Sequence, residues 1–244
     1  MKNSLHNVDV VVLCGGLGTR LQGVIGETPK ILVPLGDKVL LDILFEEFRV
    51  ADFKKVILCV GFQKEKIKDY IKEKYSDIGW PRVVFSDEEK PLGTGGALKN
   101  ALRFVSSDHF LVMNGDTIFK GHFQGLYNFH EKNNSFLTLG VNETREKDYG
   151  TVGVDSSLRL IGFKEKIWGE GDRYTSIGMY CMKKEIAKYL PDREVFSLEY
   201  DVFPVLVSSL PCFGYQTNGI AHDIGTKERY AAGIKILFHE ERKV

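Results

Sequence analysis

The first half of the chain alternates between short, wholly apolar runs and longer segments in which apolar residues recur every three or four positions. Val8–Leu13 is apolar and rich in β-branched residues, the pattern of a strand buried on both faces. Leu41, Leu44, Phe45 and Phe48 follow at helical spacing, and Lys55–Val60 predicts a second strand. Gln63–Tyr75 reads as a charged amphipathic helix whose inner stripe is Ile67, Tyr70 and Ile71. Arg82–Phe85 predicts a short strand, Gly96–Val105 a helix and Phe110–Met113 another buried strand. Such βαβαβ alternation predicts an α/β fold of Rossmann-like type, with a mixed, mostly parallel sheet flanked by helices.

The second half changes character. Phe136–Val141, Thr151–Val154, Leu158–Phe163 and Thr175–Met182 read as strands separated by polar turns, and Lys227–His239 as a closing amphipathic helix. No linker rich in Pro, Gly or Ser interrupts the chain, so residues 1–244 are expected to form one domain with two lobes, mainly 1–135 and 136–244. That length suffices for one large α/β domain with a well-buried core. No hexapeptide repeat follows Asp223, so no C-terminal β-helix is expected.

Composition narrows the partners. The chain carries 33 basic and 33 acidic residues and no basic patch interleaved with aromatics, so nucleic acid is not expected as a main partner. Cys14, Cys59, Cys181 and Cys212 stand far apart without a C-x-x-C spacing, three of them in apolar strand-like runs, as reduced core cysteines do. No apolar run reaches the length of a membrane span and no signal-peptide core is visible, so a cytoplasmic protein without a membrane partner is expected. The six histidines lack metal-ligand spacing, which leaves zinc unsupported, and His222 beside Asp223 reads as structural.

Candidate chemistry lies where the strands end. Leu13-Cys14-Gly15-Gly16-Leu17-Gly18-Thr19-Arg20-Leu21 follows the first strand, and Pro29-Lys30 comes shortly after. Glycines allow a left-handed backbone and close approach, so successive N–H groups can line an anion. Arg20 and Lys30 add positive charge where a polyphosphate would sit. A dinucleotide fingerprint fits poorly, because Arg20-Leu21 stands where its third glycine belongs, and the Walker pattern is absent. A tight strand-to-helix turn with a solvated arginine is the bland alternative.

Pro91-Leu92-Gly93-Thr94-Gly95-Gly96-Ala97-Leu98 is a second glycine-rich turn entering a helix. Its small residues would let a flat base lie against the backbone; the alternative is an N-capped loop with Thr94 as the cap. Glu88-Glu89 just before it offers only acceptors, which suits the N–H edge of guanine, although adjacent carboxylates are also ordinary on a surface. Asn114-Gly115-Asp116 follows the buried strand, placing a carboxylate where open α/β sheets bind ligands. Asp116 is suited to Mg²⁺, although N-G-D is also an ordinary turn. Asp223-Ile224-Gly225-Thr226 supplies a second carboxylate before the last helix.

Together these motifs resemble those of the sugar-1-phosphate nucleotidyltransferase family, whose G-G-x-G-T-R-L loop and Pro-Lys stand here as Gly15–Leu21 and Pro29-Lys30. The chain departs from the pattern at Gln22-Gly23 and at Ile31, where the family often has proline; both changes touch loop shape. The resemblance implies nucleotide binding by Leu13, Gly15, Gly16, Gly18, Thr19, Gly93, Thr94 and Asn114, and base recognition by the pair Glu88 and Glu89. It implies catalytic roles for Arg20 and Lys30, and Mg²⁺ held by Asp116 and Asp223 together. Gly150 of Tyr149-Gly150-Thr151 would meet the sugar through its backbone. Glu165 of Phe163-Lys164-Glu165-Lys166 would receive sugar hydroxyls and Lys166 the sugar phosphate, whereas by itself K-E-K reads as a solvated edge. Ser176 stands where the family has a sugar-binding asparagine, which leaves the sugar open.

The implied reaction moves a nucleoside monophosphate from a triphosphate, GTP on the evidence of the acidic pair, to a sugar 1-phosphate with release of pyrophosphate. Positioning and charge stabilisation would carry it. E-E-K-P-L-G-T-G-G-A, Y-G-T-V-x-V-D and the segment Phe196–Val202 are most similar to the branch that guanylylates heptose 1-phosphate. Mannose 1-phosphate guanylyl transfer and uridylyl or thymidylyl transfer to glucose 1-phosphate are the alternatives within the family. The glutamine that the uridylyl and thymidylyl enzymes often place before the base loop is missing. A non-catalytic, nucleotide-sugar-sensing subunit is a further alternative, disfavoured because Arg20, Lys30, Asp116, Lys166 and Asp223 are all present. A homodimer is compatible with all of these.

Overall fold

Val10, Val11 and Val12 of the first strand are fully buried, and they alternate between two separate hydrophobic cores, Val10 and Val12 facing one and Val11 the other. A strand whose successive side chains point to opposite faces can be apolar throughout only when both faces are covered. That places it at the centre of a layered sheet.

The computed structural model describes residues 5–76, 82–121, 123–143, 150–165 and 174–241. Its strands are β1 (Asp9–Leu13), β2 (Pro34–Leu35), β3 (Lys38–Val39), β4 (Lys55–Val60), β5 (Val83–Asp87), β6 (His109–Asn114), β7 (Thr117–Lys120), β8 (Leu137–Glu143), β9 (Gly150–Val154), β10 (Leu160–Glu165), β11 (Tyr174–Lys183), β12 (Cys212–Gln216) and β13 (Ile220–Asp223). The helices are α1 (Gln22–Ile25), α2 (Leu40–Ala51), α3 (Lys64–Tyr75), α4 (Gly93–Ala101), α5 (Phe123–Lys132), α6 (Phe203–Ser209) and α7 (Lys227–Glu241).

Nine strands form one sheet with the path β10-β9-β11-β6-β1-β4-β5, to which β8 adds beside β11 and β12 beside β8. β1 is parallel to both β4 and β6, and β4 is parallel to β5. Only β11 and β10 run against the rest, so the sheet is mixed and mostly parallel, as the alternation predicted. One core packs α2 and α3 against the sheet and the other packs α4 and α6. All four cysteines are free, and Cys59, Cys181 and Cys212 are buried.

Two features aim the site. The carboxyl ends of β1, β4, β5 and β6 open on the same edge, which gathers loop 14–20, Gly61, Glu88 and Asp116. A separate two-stranded antiparallel ribbon, β7 with β13, lies at that edge and sets Thr117 opposite Asp223. On the opposite edge the buried Asp9 carboxylate accepts from Ser106 N (2.5 Å) and Ser107 N (3.1 Å), with Lys55 Nζ at 3.5 Å, which ties the entry of β6 to β1.

The structure differs from the pattern reading in several elements. α4 begins at Gly93 rather than Gly96 and ends at Ala101, followed by a 3-10 turn at Leu102–Phe104. The short strands β7, β12 and β13 and the helices α5 and α6 were not evident from periodicity, because a few residues of mixed polarity show no clear period.

Candidate active site

Each glycine of the first loop has its own reason. A Cβ at Gly15 would run into the Glu88 carboxyl group, with Cδ only 2.9 Å away. Gly18 holds φ +64°, a left-handed conformation, and the aliphatic stem of Lys30 lies 3.2 Å from where its Cβ would be. The carbonyl of Gly18 accepts from Leu21 N at 2.9 Å, closing the turn. The cavity beside this loop, about 450 Å³, is lined by Leu13, residues 15–20, Lys30, Glu88, residues 91–94, Ala97, Asn114 and Asp116. Nine of the ten residues expected to hold the nucleotide therefore meet at one cavity.

The tenth, Glu89, does not. Its side chain is 87 % exposed and ion-paired to Lys64 at 2.9 Å, whereas Glu88 is buried and faces the cavity. Adjacent residues leaving a strand end point to opposite sides, so the acidic pair divides into one inward and one outward carboxylate. Burial pushes the Glu88 carboxyl pKa up, offset in part by Leu92 N, which donates to Oε2 at 3.3 Å.

The second glycine run is small for a reason within the fold. Gly95 N and Gly96 N donate to the Phe196 carbonyl at 3.0 and 3.3 Å, and Phe196 N donates back to Leu92 O at 3.1 Å. A Cβ on Gly93, which holds φ +72°, would stand 2.5 Å from the Phe196 carbonyl oxygen. Side chains at Gly95 and Gly96 would overlap the Phe196 ring and the Glu194 carbonyl. The start of α4 is thus packed onto residues 194–196 of the other half of the chain. Thr94 is not a cap either: Leu92 occupies that position, with no side-chain cap bond. The Thr94 hydroxyl instead donates to Glu199 Oε2 at 2.6 Å and accepts from Leu198 N at 2.9 Å.

Asp116 follows β6 directly and accepts from Lys30 Nζ at 2.7 Å. The β7–β13 ribbon then brings Asp223 beside it, and Ile224 N donates to the Asp116 carbonyl at 2.9 Å. Asp223 Oδ1 accepts from Gly225 N at 2.7 Å and from Arg229 Nη1 at 3.3 Å. Burial pushes the Asp223 carboxyl pKa up and the charge of Asp116 pushes it further, against the opposing pull of Gly225 N–H, Arg229 and Lys30. Two carboxylates held together, at a cost to the ionised form of Asp223, make a place where added positive charge binds favourably. Among the described residues no three His, Cys, Asp or Glu side chains converge, and the acidic ligands present at this point are these two carboxylates. That donor set fits Mg²⁺, which keeps several waters and is bound by one or two carboxylates together with substrate phosphates.

A second cavity, about 230 Å³, adjoins the first and shares Arg20, Thr94, Asn114 and Asp116 with it. Gly150 and Ser176, both expected at the sugar, line it. Glu165 ends β10 in register with Gly150; its side chain, with Lys166 and Tyr149, lies outside the described residues. Thr117, Phe163, Tyr180, Glu199 and Arg229 also line this cavity and were not picked out from sequence. Glu199 stands on a π-helical turn, Leu198–Val202, and its Oε2 is fixed by Ser197 Oγ at 2.7 Å as well as by Thr94. Its one available signal was the acidic character of the Phe196–Val202 segment. The buried Oδ1 of Asn114 has no hydrogen-bond partner among the described residues, while its amide nitrogen packs against Gly178, where a Cβ would come within 2.7 Å.

The fold and this edge define a nucleotide-binding α/β protein in which a glycine loop and an acidic pair face a second, polar cavity. The Nucleotidyl transferase family profile matches residues 9–238, and the chain belongs to that family. It is 37 % identical over 193 residues, 79 % of its length and 83 % of the relative's, to a D-glycero-α-D-manno-heptose 1-phosphate guanylyltransferase from Campylobacter jejuni. A second guanylyltransferase of the same name, from Aneurinibacillus thermoaerophilus, is 32 % identical and is matched over 95 % of this chain and 99 % of its own. Among solved structures, HddC from Yersinia pseudotuberculosis complexed with GMP-PN superposes with a TM-score of 0.80 at 30 % identity, covering 94 % of this chain and 99 % of that one.

Proposed function

We propose that this nucleotidyltransferase moves GMP from GTP to D-glycero-α-D-manno-heptose 1-phosphate, forming a GDP-heptose and releasing pyrophosphate. One observation carries the reading. Arg20, Thr94, Asn114 and Asp116 line both cavities, so a triphosphate in the first and a sugar phosphate in the second would meet beside Asp116 and Asp223. Residues 1–135 would then hold mainly the nucleotide, and 136–244 mainly the sugar phosphate. Guanine is supported by Glu88, whose carboxylate offers acceptors to the N1–H and N2–H₂ edge of that base. The heptose acceptor is supported by the names of the two guanylyltransferase relatives.

In this reading an oxygen of the acceptor phosphate attacks the α-phosphorus in line. The bond from that phosphorus to the bridging oxygen breaks, and its electron pair leaves with pyrophosphate. No covalent enzyme intermediate is required, so the work is positioning and charge stabilisation. Arg20 and the N–H groups of the glycine loop hold the departing pyrophosphate. Lys30, already within reach of Asp116, stands between the phosphates and offsets their mutual repulsion. Lys166 would meet the acceptor phosphate and Glu165 the sugar hydroxyls. Asp116 and Asp223 would hold Mg²⁺, which when bound supplies charge neutralisation for the reacting phosphates. No helix among the described residues is long and apolar enough to cross a membrane, which accords with a cytoplasmic enzyme.

A grid of GTP, ATP, UTP and dTTP against heptose, mannose and glucose 1-phosphates, read as pyrophosphate released, tests the reading. GTP with heptose 1-phosphate is expected to dominate. Dominant turnover with UTP or dTTP would overturn guanylyl transfer, and nucleotide binding without turnover of any pair would point to a sensing subunit.

A further inference from the structure

Beyond the acceptor cavity lies a third one, of about 380 Å³, and Ser176 and Asp223 are among the residues that line both. The three spaces therefore run in sequence from the glycine loop, past the acidic pair, to this outer end. Asn142 at the end of β8 forms one wall, and Gln216, Thr217 and Asn218 at the end of β12 form another. The backbone shapes both walls. β11 loses register against β8 between Ser176 and Tyr180, with Gly178 at φ +70° in the irregular stretch. The turn after β12 is held by Thr217 N donating to Val141 O at 3.2 Å and by Gly219 N donating to Thr217 Oγ1 at 3.1 Å.

The chemistry of the lining selects a class of ligand. Side-chain amides and hydroxyls both donate and accept, which matches the hydroxyl groups of a polyol. Among the described residues no lysine or arginine lines the cavity, and its charged groups, Asp223 and Glu143, are acidic. The described lining therefore suits hydroxyl groups better than a second phosphate. The passage from the acceptor cavity runs past Ser176, a buried residue whose short side chain leaves the two spaces joined.

We propose that the outer cavity seats the exocyclic, hydroxyl-bearing arm of the acceptor sugar, the terminal glycol that a heptose carries where a hexose has a single hydroxymethyl group. The amides of Gln216 and Asn218 hydrogen-bond its hydroxyls, and Ser176 keeps the passage open. This rests on the functional reading above and goes further, because it assigns the discrimination between heptose and hexose to Gln216 and Asn218, outside the acceptor cavity, and to Ser176 at the passage between the two.

The test compares wild type, the double variant Gln216→Ala/Asn218→Ala and the variant Ser176→Asn, each assayed for pyrophosphate release with GTP and either heptose 1-phosphate or mannose 1-phosphate. Gln216 and Asn218 are exposed, so truncating them leaves the fold intact, and a thermal melt checks this directly. The heptose-to-mannose ratio of kcat/KM is expected to fall about tenfold in both variants, chiefly through KM for the heptose. An unchanged ratio in both variants overturns the inference while leaving the functional reading standing. A ratio that instead falls only in a third variant, Glu199→Ala, would put the arm within the acceptor cavity and overturn it as well. If wild type turns over neither sugar phosphate, the functional reading fails first, and this inference with it.

Discussion

Asp223 is a side chain whose ionised form is held at a cost, as a proposed metal ligand would be. Its carboxylate is partly buried beside Asp116, and both influences favour its protonated form. Replacing it with asparagine keeps an oxygen for Gly225 N and removes the repulsion. Asp223→Asn is therefore expected to leave the melting temperature of the ligand-free protein unchanged or raised, while lowering kcat about a thousandfold, the scale on which groups that stabilise transition-state charge act. Steady-state pyrophosphate release and a thermal melt of the same sample decide it. Turnover within a few-fold of wild type at saturating Mg²⁺ would remove Asp223 from the site. Glu88 shows the same economy of placement, since its carboxyl packs where Gly15 lacks a side chain. Its neighbour Glu89 is spent on a surface ion pair with Lys64.

At the scale of elements, α4 is the instructive case. Its glycine-rich first turn would be a poor helix start in isolation, since glycine disfavours helix by up to about 1 kcal/mol per residue. The Phe196 carbonyl supplies what the sequence lacks, accepting from two of the first-turn N–H groups. Alanine at Gly95 should improve intrinsic helix propensity, yet its Cβ overlaps the Phe196 ring. Gly95→Ala is thus expected to destabilise the protein by about 1–3 kcal/mol, the usual cost of overpacking, read as a lower urea midpoint. A stabilised variant would mean that the contact between α4 and residues 194–196 does not govern this turn. The β7–β13 ribbon has a comparable role, because its antiparallel register brings two aspartates together that the chain carries far apart.

For the whole molecule, the response to acid follows from groups buried in particular states. Burial holds the His130 imidazole pKa down to about 3, helped by the neighbouring charges of His109 and Lys183. Asp42 also lies low: burial pushes its carboxyl pKa up, but Lys74, Tyr75, Val39 N and Tyr70 together outweigh that. Tyr75 OH donates to it at 2.6 Å and Lys74 Nζ at 2.7 Å. Both groups bind protons less readily folded than unfolded, so both make stability rise with pH. The His130 contribution is complete above the model-peptide value of 6.5 and is lost as pH falls from there toward about 3. The Asp42 contribution follows at lower pH, below the ordinary carboxylate value of 3.8. The urea midpoint is therefore expected to decline steadily from pH 7 to pH 4, and Asp42→Asn to lower it at neutral pH. A midpoint flat down to pH 4 would contradict the His130 assignment.

Much of this was legible in the order of residues. Short apolar runs set β1, β4 and β6 at the centre of a layered sheet, because only two-sided burial tolerates them. Glycines beside Arg20 and Lys30, and aspartates following strand ends, marked the candidate site, since backbone freedom and charge are properties of single residues. Periodicity did not reveal that Asp116 and Asp223 face each other, that Phe196 shapes the second glycine run, or that Glu88 turns inward while Glu89 turns out. Nor did it reveal Glu199 and Arg229 beside the acceptor cavity, or the outer cavity walled by Asn142 and Gln216. Those relations join segments distant along the chain. They depend on strand register and on which loops close over which edge, and only packing the whole chain settles these.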